Sequence, residues 1–504
     1  MKKSLLALAG LLVLHTAQAA EPTVKGPESV ADWNNAGNAF ISAGKALQDN
    51  TRRAKNVIIF IGDGMGISTQ TAARILEGQL KGKTGEENRL SFETLPYSAL
   101  SKTYSWDQQT SDSAPTATAI FTGYKAREAM LSVDHTTNRA ECDGAKVMAR
   151  ALPSILELAA ANGRASGVVS TARLTHATPG ATYAHTPMRD WESDSDIKLP
   201  GCTTKDIARQ LIEASPAVRT QLKVAMGGGR SNFLPRSDTD PEYPSTKGRR
   251  SDGRNLSTEW LSTRGSGAAY VWNKAQFDAL DPAATGPVLG LFEPSHMQYE
   301  SDRATDPAGE PSLTEMTDKA IRILQKSPTG YFLHVEGGRI DHAHHAGNAR
   351  RALVDTIEMS NAVRRAMEMT SEADTLIIVT ADHSHTFTIA GYPGRGNPIL
   401  GLTKGVPDVD GEATRFTPDK NGLPYTTLGY ANGPGYRGAG GRPDLSSVDT
   451  TALNFLQEAT VPLGSETHGG EDVAIWARGP KAYLVRGSME QNWIFHVMRE
   501  AFGF

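Results

Sequence analysis

Apolar residues recur along this chain in two rhythms. Across 29–49, Trp33, Ala36, Phe40, Ala43 and Leu47 follow one another at three- or four-residue spacing, which predicts a helix carrying a single apolar stripe. Beyond it the pattern turns to short β-rich runs at 56–61, 167–170, 223–226, 331–335, 375–380 and 473–477. Runs such as Val57-Ile58-Ile59-Phe60-Ile61 and Leu376-Ile377-Ile378-Val379 have no polar face, as expected of central parallel strands covered on both sides. Each run leads into a polar or glycine-rich turn and then a helical pattern. The prediction is an α/β fold: a doubly wound, largely parallel central sheet flanked by helices, with ligands gathered at the C-terminal ends of its strands.

One stretch breaks the alternation. From Gly391 to Gly441 there are thirteen glycines, with prolines and few apolar runs. Residues about 391–465 are therefore read as an insertion that leaves the sheet and returns before the last strand. A linker between two domains is the alternative, but candidate metal ligands stand on both sides and must meet at one site. This favours a single domain over 20–504.

The first residues bear on compartment. Lys2 and Lys3 precede an apolar run from Leu5 to Leu14, and Ala17-Gln18-Ala19 supplies a small-x-small cleavage pattern; 1–19 read as a signal peptide. An exported protein, periplasmic or extracellular, is expected, with no membrane anchor. Export also suits a disulfide between Cys142 and Cys202, two buried free thiols being the alternative. A formal net charge of −4 without dense basic clusters gives no case for a nucleic-acid-binding module and points to small-molecule partners.

The chemistry sits where runs end. The first opens into Gly62-Asp63-Gly64-Met65-Gly66, a tight turn presenting a carboxylate, although an Asp-Gly turn alone is more often structural. The run 331–335 opens into Glu336, with Asp341 five residues on and His345 four after that. Zinc accepts imidazole nitrogen and carboxylate oxygen, whereas magnesium prefers oxygen. His342 and His344 are read as surface or supporting groups. The run 375–380 opens into Asp382-His383-Ser384-His385, and His468 precedes the last run. Two such clusters after two core strands argue for a metal site over two solvated turns.

Ser113, in Asp112-Ser113-Ala114-Pro115, is the candidate nucleophile. Small residues and a proline follow it, as at a helix start, where free backbone N–H groups favour an anion. An ordinary N-cap serine is the alternative. No Gly-x-Ser-x-Gly elbow surrounds it, so activation falls to something other than a His-Asp pair, and a metal serves. His176-Ala177-Thr178-Pro179 and Arg189 complete the set: arginine can hold two phosphate oxygens, and a threonine hydroxyl can reach magnesium.

Together these motifs resemble those of the alkaline phosphatase family, in the family's order and across about 29–500. His176 makes the likeness closer to the vertebrate-like branch. The resemblance implies hydrolysis of phosphate monoesters at alkaline pH through a phosphoserine on Ser113, with a broad substrate range. It also implies two zinc ions and one magnesium ion per subunit, and a homodimer. One zinc would be held by Asp341, His345 and His468, the other by Asp63, Asp382 and His383. Magnesium would be held by Asp63, Thr178 and Glu336, while Arg189 would clamp the phosphate. Asp112, His176 and His385 would support these groups. A calcium site is also implied, built from Glu242, Glu293 and the carbonyl of Phe292. Its last ligand would be Glu310, with Asp306 the alternative. The insertion resembles a reduced form of the family's crown, and the helix at 29–49 its N-terminal arm.

Two other readings compete. A phosphodiesterase or sulfatase of the same superfamily is the nearer; a sulfatase would need a different oxidisable motif, and phosphodiesterases typically lack the third-metal residues. An exported phosphate-binding protein without catalysis would need neither nucleophile nor zinc-rich site.

Overall fold

The structure is a computed structural model that describes residues 29–409, 414–438 and 440–504. The expected signal peptide, 1–19, lies outside the described residues. The chain divides into a short unit ending at Ala46 and a large unit, Leu47–Phe504. In the short unit, α1 (Val30–Ala46) begins where the Ser29 hydroxyl accepts from Asp32 N–H and the Asp32 carboxylate accepts from Ser29 N–H. These reciprocal bonds satisfy donors that a helix start leaves free. No residue of α1 is buried.

The strands of the large unit run, in chain order, β1 (Asn56–Gly62), β2 (Tyr97–Lys102), β3 (Ala165–Arg173), β4 (Leu222–Gly228), β5 (Ala269–Val271), β6 (Val288–Leu291), β7 (Tyr331–Gly337) and β8 (Thr375–Ala381). They continue as β9 (Ser384–His385), β10 (Phe387–Ile389), β11 (Leu428–Gly433), β12 (Ala459–Pro462), β13 (His468–Gly469), β14 (Val473–Arg478) and β15 (Gly487–Glu490). Ten of them form the central sheet in the order β15-β2-β14-β8-β1-β7-β3-β4-β6-β5. Only β14 runs against its neighbours β8 and β2; the other pairings are parallel. The expected doubly wound, mostly parallel sheet is present.

The two-faced apolar runs form the middle of this sheet. Val57, Ile59 and Ile61 face one buried cluster, while Ile58 and Phe60 face the other, so β1 is covered on both sides. The run at 223–226 falls within β4, and those at 167–170, 331–335, 375–380 and 473–477 fall within β3, β7, β8 and β14. Strands β2, β5, β6 and β15 carry weaker signals. In β2, Ala99 and Ser101 are buried while Ser98, Leu100 and Lys102 are exposed, and β5 and β6 are only three and four residues long.

The glycine-rich segment holds more regular structure than its composition suggests. It contributes β11 and β12, which join β10 in a separate three-stranded sheet. Cys142 and Cys202 are bonded, with sulphurs 2.12 Å apart. Among the described residues, no helix is long and apolar enough to cross a membrane.

Candidate active site

Register decides which side chains meet. Gly62 of β1 is level with Ala381 of β8 and Gly337 of β7, so Asp63 and Asp382 leave the sheet side by side. Ile61 is level with Glu336, and Glu336 with Ser170 of β3, which puts a third carboxylate in the same corner. The turn after β1 needs glycine: Gly64 has φ +66°, and a Cβ there would lie 2.3 Å from His385 Nε2. Because β14 runs in reverse, the chain before it also reaches this edge and brings His468 there.

The first cluster is Asp63, Asp382 and His383, all fully buried. His383 Nε2 lies 3.3 Å from both Asp63 Oδ1 and Asp382 Oδ2. Asp382 is oriented by the Gly64 and His383 amides, which donate to Oδ1 at 3.0 and 2.9 Å. Ser113 Oγ approaches this cluster, 3.1 Å from His383 Nε2 and 3.3 Å from Asp63 Oδ1.

The second cluster is Asp341, His345, His385 and His468. Asp341 Oδ1 has ring nitrogens of His385, His345 and His468 at 2.8, 3.3 and 3.4 Å. His345 Nδ1 donates to Glu466 O at 2.5 Å and His468 Nδ1 to Ser111 O at 2.8 Å. A carbonyl can only accept, so each bond fixes the proton on Nδ1 and leaves the Nε2 lone pair for a ligand. Burial would raise Asp341, but His345, His385 and His468 hold it well below its ordinary range.

The third corner is oxygen-rich. Asp63 Oδ2, Glu336 Oε1 and Thr178 Oγ1 are buried without a hydrogen-bond partner, and a nitrogen of His176 lies within 4.8 Å of both carboxylates. Burial and then the charges of Asp382 and Asp341 raise Asp63 well above the usual carboxylate range. Burial pushes Glu336 up to about 8. Buried acceptors with no donor, crowded by like charge, fit divalent cations.

The anion side of the site is assembled on α3 (Ser113–Thr122). Asp112 caps it, accepting from Ala114 N–H at 3.2 Å through Oδ2, while Oδ1 pairs with Arg189 Nη1. Arg189 Nη2 reaches His176 Nε2 at 2.8 Å. One carboxylate therefore orients both the serine helix and the guanidinium.

The calcium candidates lie apart. Glu242, Glu293 and Asp306 each bring an oxygen within 4.8 Å of the others, so of the two alternatives it is Asp306 that joins this group. Glu310 stands beside it, with Oε1 accepting from Gln298 N–H at 2.9 Å and Oε2 buried without a partner. Burial and neighbouring acids push Glu293 to about 8 and Glu310 to about 9. Phe292 is fully buried next to Glu293. Of the two histidines expected to be surface or supporting groups, His344 is structural, bonded to Thr69 Oγ1 at 2.9 Å and Tyr430 OH at 2.8 Å.

Sheet and site together define a metal-dependent hydrolase. The Alkaline phosphatase family profile matches residues 54–504. The tissue-nonspecific alkaline phosphatase of Gallus gallus is 48% identical over 462 residues, covering 90% of this chain and 85% of that protein. The alkaline phosphatase of Gadus morhua is 45% identical over 480 residues, covering 93% and 96%. The crystal structure of Thermus thermophilus alkaline phosphatase shares the fold, with a TM-score of 0.62 at 23% identity over 92% of this chain and 94% of that one. This chain belongs to the alkaline phosphatase family. It is an enzyme of metal-dependent phosphate monoester hydrolysis.

One functional residue lies outside the motifs legible in the sequence. Glu466 is 1% exposed; its carboxylate takes His385 Nδ1 at 2.5 Å, Thr386 N–H at 2.7 Å and Thr386 Oγ1 at 2.6 Å. Its backbone carbonyl holds His345, and His385 in turn holds Asp341. Its only signal is its place two residues before His468. Supporting bonds of this kind typically alter metal affinity by about 10–100-fold. Glu466→Gln should therefore weaken metal retention against a competing chelator by about that factor while the protein stays folded. Unchanged retention would show that the carboxylate merely packs the loop.

Proposed function

We propose that Ser113 is the nucleophile of phosphate monoester hydrolysis and that two zinc ions and one magnesium ion serve it. The observation that carries this reading is Ser113 Oγ, at the first turn of α3, within 3.3 Å of Asp63 and His383, with Arg189 held by the adjoining Asp112. Asp341, His345 and His468 would hold one zinc, and Asp63, Asp382 and His383 the other. The oxygen-rich corner of Asp63, Thr178 and Glu336 suits magnesium. Divalent cations bound there would neutralise charge developing on the phosphoryl group and ease ionisation of the attacking hydroxyl.

The chain's own groups divide the remaining work. Arg189 orients two phosphoryl oxygens through its paired donors, and the free amides at the start of α3 face the incoming anion. Ser113 Oγ attacks phosphorus as the ester oxygen departs on the opposite side, leaving a phosphoserine. Water then breaks the Oγ–P bond from the vacated side, so two in-line displacements retain configuration at phosphorus. Little protein contact to the leaving group is required, which favours a broad substrate range at alkaline pH.

Four further features belong to this proposal. Export to the periplasm or beyond rests on the leader pattern at 1–19. A homodimer is supported by α1, whose Trp33 and Phe40 are 62% and 78% exposed. A second copy of the chain would cover these rings. The segment at 391–465 corresponds to a small crown. A calcium site is supported by Glu242, Glu293, Phe292 and either Asp306 or Glu310, an all-oxygen set.

Ser113→Ala should keep its zinc content and lose the covalent intermediate, read by mass spectrometry after quenching at acid pH with a phosphate monoester. Phosphate on any other residue of the wild-type enzyme would overturn the assignment. Deleting residues 21–50 should shift the light-scattering mass from dimer towards monomer; a monomeric full-length protein would rule the dimer out. Calcium should raise the melting temperature of the wild type and raise that of Glu293→Ala much less, because a ligand of the folded state stabilises it. Equal shifts would remove the calcium site.

A further inference from the structure

The segment that delivers His176 and Thr178 to the oxygen-rich corner has little regular structure of its own. Strand β3 ends at Arg173, and the helix Ala177–Gly180 is a single turn of four residues. Between them the chain makes a turn closed by His176 N–H donating to Arg173 O at 2.9 Å, and Leu174 N–H ties it to Gly228 O of β4 at 3.0 Å. Side chains fix the rest of it.

Glu192, 7% exposed, grips that turn at Arg173 and at Thr175. Its Oε2 accepts from Arg173 Nε at 2.7 Å and from Thr175 Oγ1 at 2.6 Å, while its Oε1 accepts from Arg173 Nη2 at 2.5 Å. Asn232 Nδ2 closes the group, donating to Glu192 Oε2 at 3.0 Å and to Thr175 Oγ1 at 2.8 Å. The carboxylate is held from behind as well. Trp191 O and Glu192 O accept from the Ile207 and Ala208 amides at 2.9 and 3.1 Å, at the start of the helix Ile207–Ile212. On the same stretch of chain stands Arg189, whose amide donates to Ala129 O at 2.7 Å. The stretch 189–192 therefore carries the phosphate guanidinium at one end and the anchor of the metal corner at the other.

Charge adds a second contribution. Arg173 Nη1 meets His296 Nε2 at 2.5 Å, and the His296 ring lies 5.2 Å from that of His176. An unpaired guanidinium there would face a corner suited to a divalent cation. Glu192 cancels it through paired bonds, the geometry that arginine and carboxylate favour. None of Arg173, Thr175, Glu192 and Asn232 belongs to the ligand sets described above.

We infer that Glu192 is a positioning residue of the reaction: its carboxylate sets His176 and Thr178 at the oxygen-rich corner and couples that corner to Arg189. The inference rests on the reading of Asp63, Thr178 and Glu336 as the magnesium set. It extends to that corner the principle that groups behind the ligands tune a metal site.

The test is calorimetric titration of the zinc-loaded enzyme with magnesium, with the melting temperature read alongside. Glu192→Gln keeps the shape of the side chain and removes its charge. It should raise the magnesium dissociation constant about 10-fold, the lower end of what supporting bonds contribute at metal sites, with zinc content unchanged. Thr175→Val keeps the Arg173–Glu192 pair and removes only the bond into the turn, so it should shift the constant in the same direction by less. It decides the matter if the glutamine variant folds poorly. A residue that merely packs would lower the melting temperature and leave magnesium binding alone, so wild-type magnesium affinity in the folded variants would overturn the role. Absence of any magnesium event in the wild type would overturn the corner assignment and this role with it, so the two failures are distinguishable.

Discussion

Like charge at one strand edge is the constraint around which this molecule is built. Asp63, Asp382, Asp341 and Glu336 are all buried there, and burial together with neighbouring carboxylates raises Asp63 and Glu336 above the usual carboxylate range. Charge of this kind is tolerated in a protein interior only when paired or bound to cations. The parallel register of β8, β1 and β7 keeps the carboxylates from separating. The site is thus a standing demand for positive charge, and the apolar cover on both faces of the sheet keeps water from meeting it.

The surrounding polar groups give that demand direction. Carbonyls of Glu466 and Ser111 fix the tautomers of His345 and His468. The Glu466 carboxylate orders His385, and His385 orders Asp341. Asp112 couples the serine helix to Arg189 through its two oxygens. Each of these groups acts through a neighbour, so the geometry at the reacting atoms is set one bond further out than the ligands themselves.

The same division separates what is legible in the sequence from what is not. Strands β1, β7 and β8 are apolar on both faces, and the acids and imidazoles immediately after them stand in short, readable motifs. Family resemblance joins Ser113, His176, Thr178 and Arg189 to these, a grouping that spacing alone does not produce. Strand β2 alternates buried and exposed positions and stands outside the two-faced pattern, while β5 and β6 are too short to declare themselves. Glu466 meets His345 and His385 across long stretches of chain, 121 and 81 residues away. Nothing local marks such pairs. Glu310 and Asp306 each precede a proline and look equivalent in sequence, and only the folded loop brings Asp306 to Glu242 and Glu293.

The reversed strand β14 has a consequence for how the enzyme comes into being. In the sheet, β2 touches only β14 and β15, so the strand leading to Ser113 has no sheet partner until residues 473–490 have been made. His468 arrives at the same late moment. During synthesis an emerging chain can form the β1–β7–β8 centre and gather its carboxylates while β2, the strand that leads towards Ser113, still lacks its sheet partners. A fragment released before residue 468 thus carries the buried acids but neither His468 nor the strands that pair with β2.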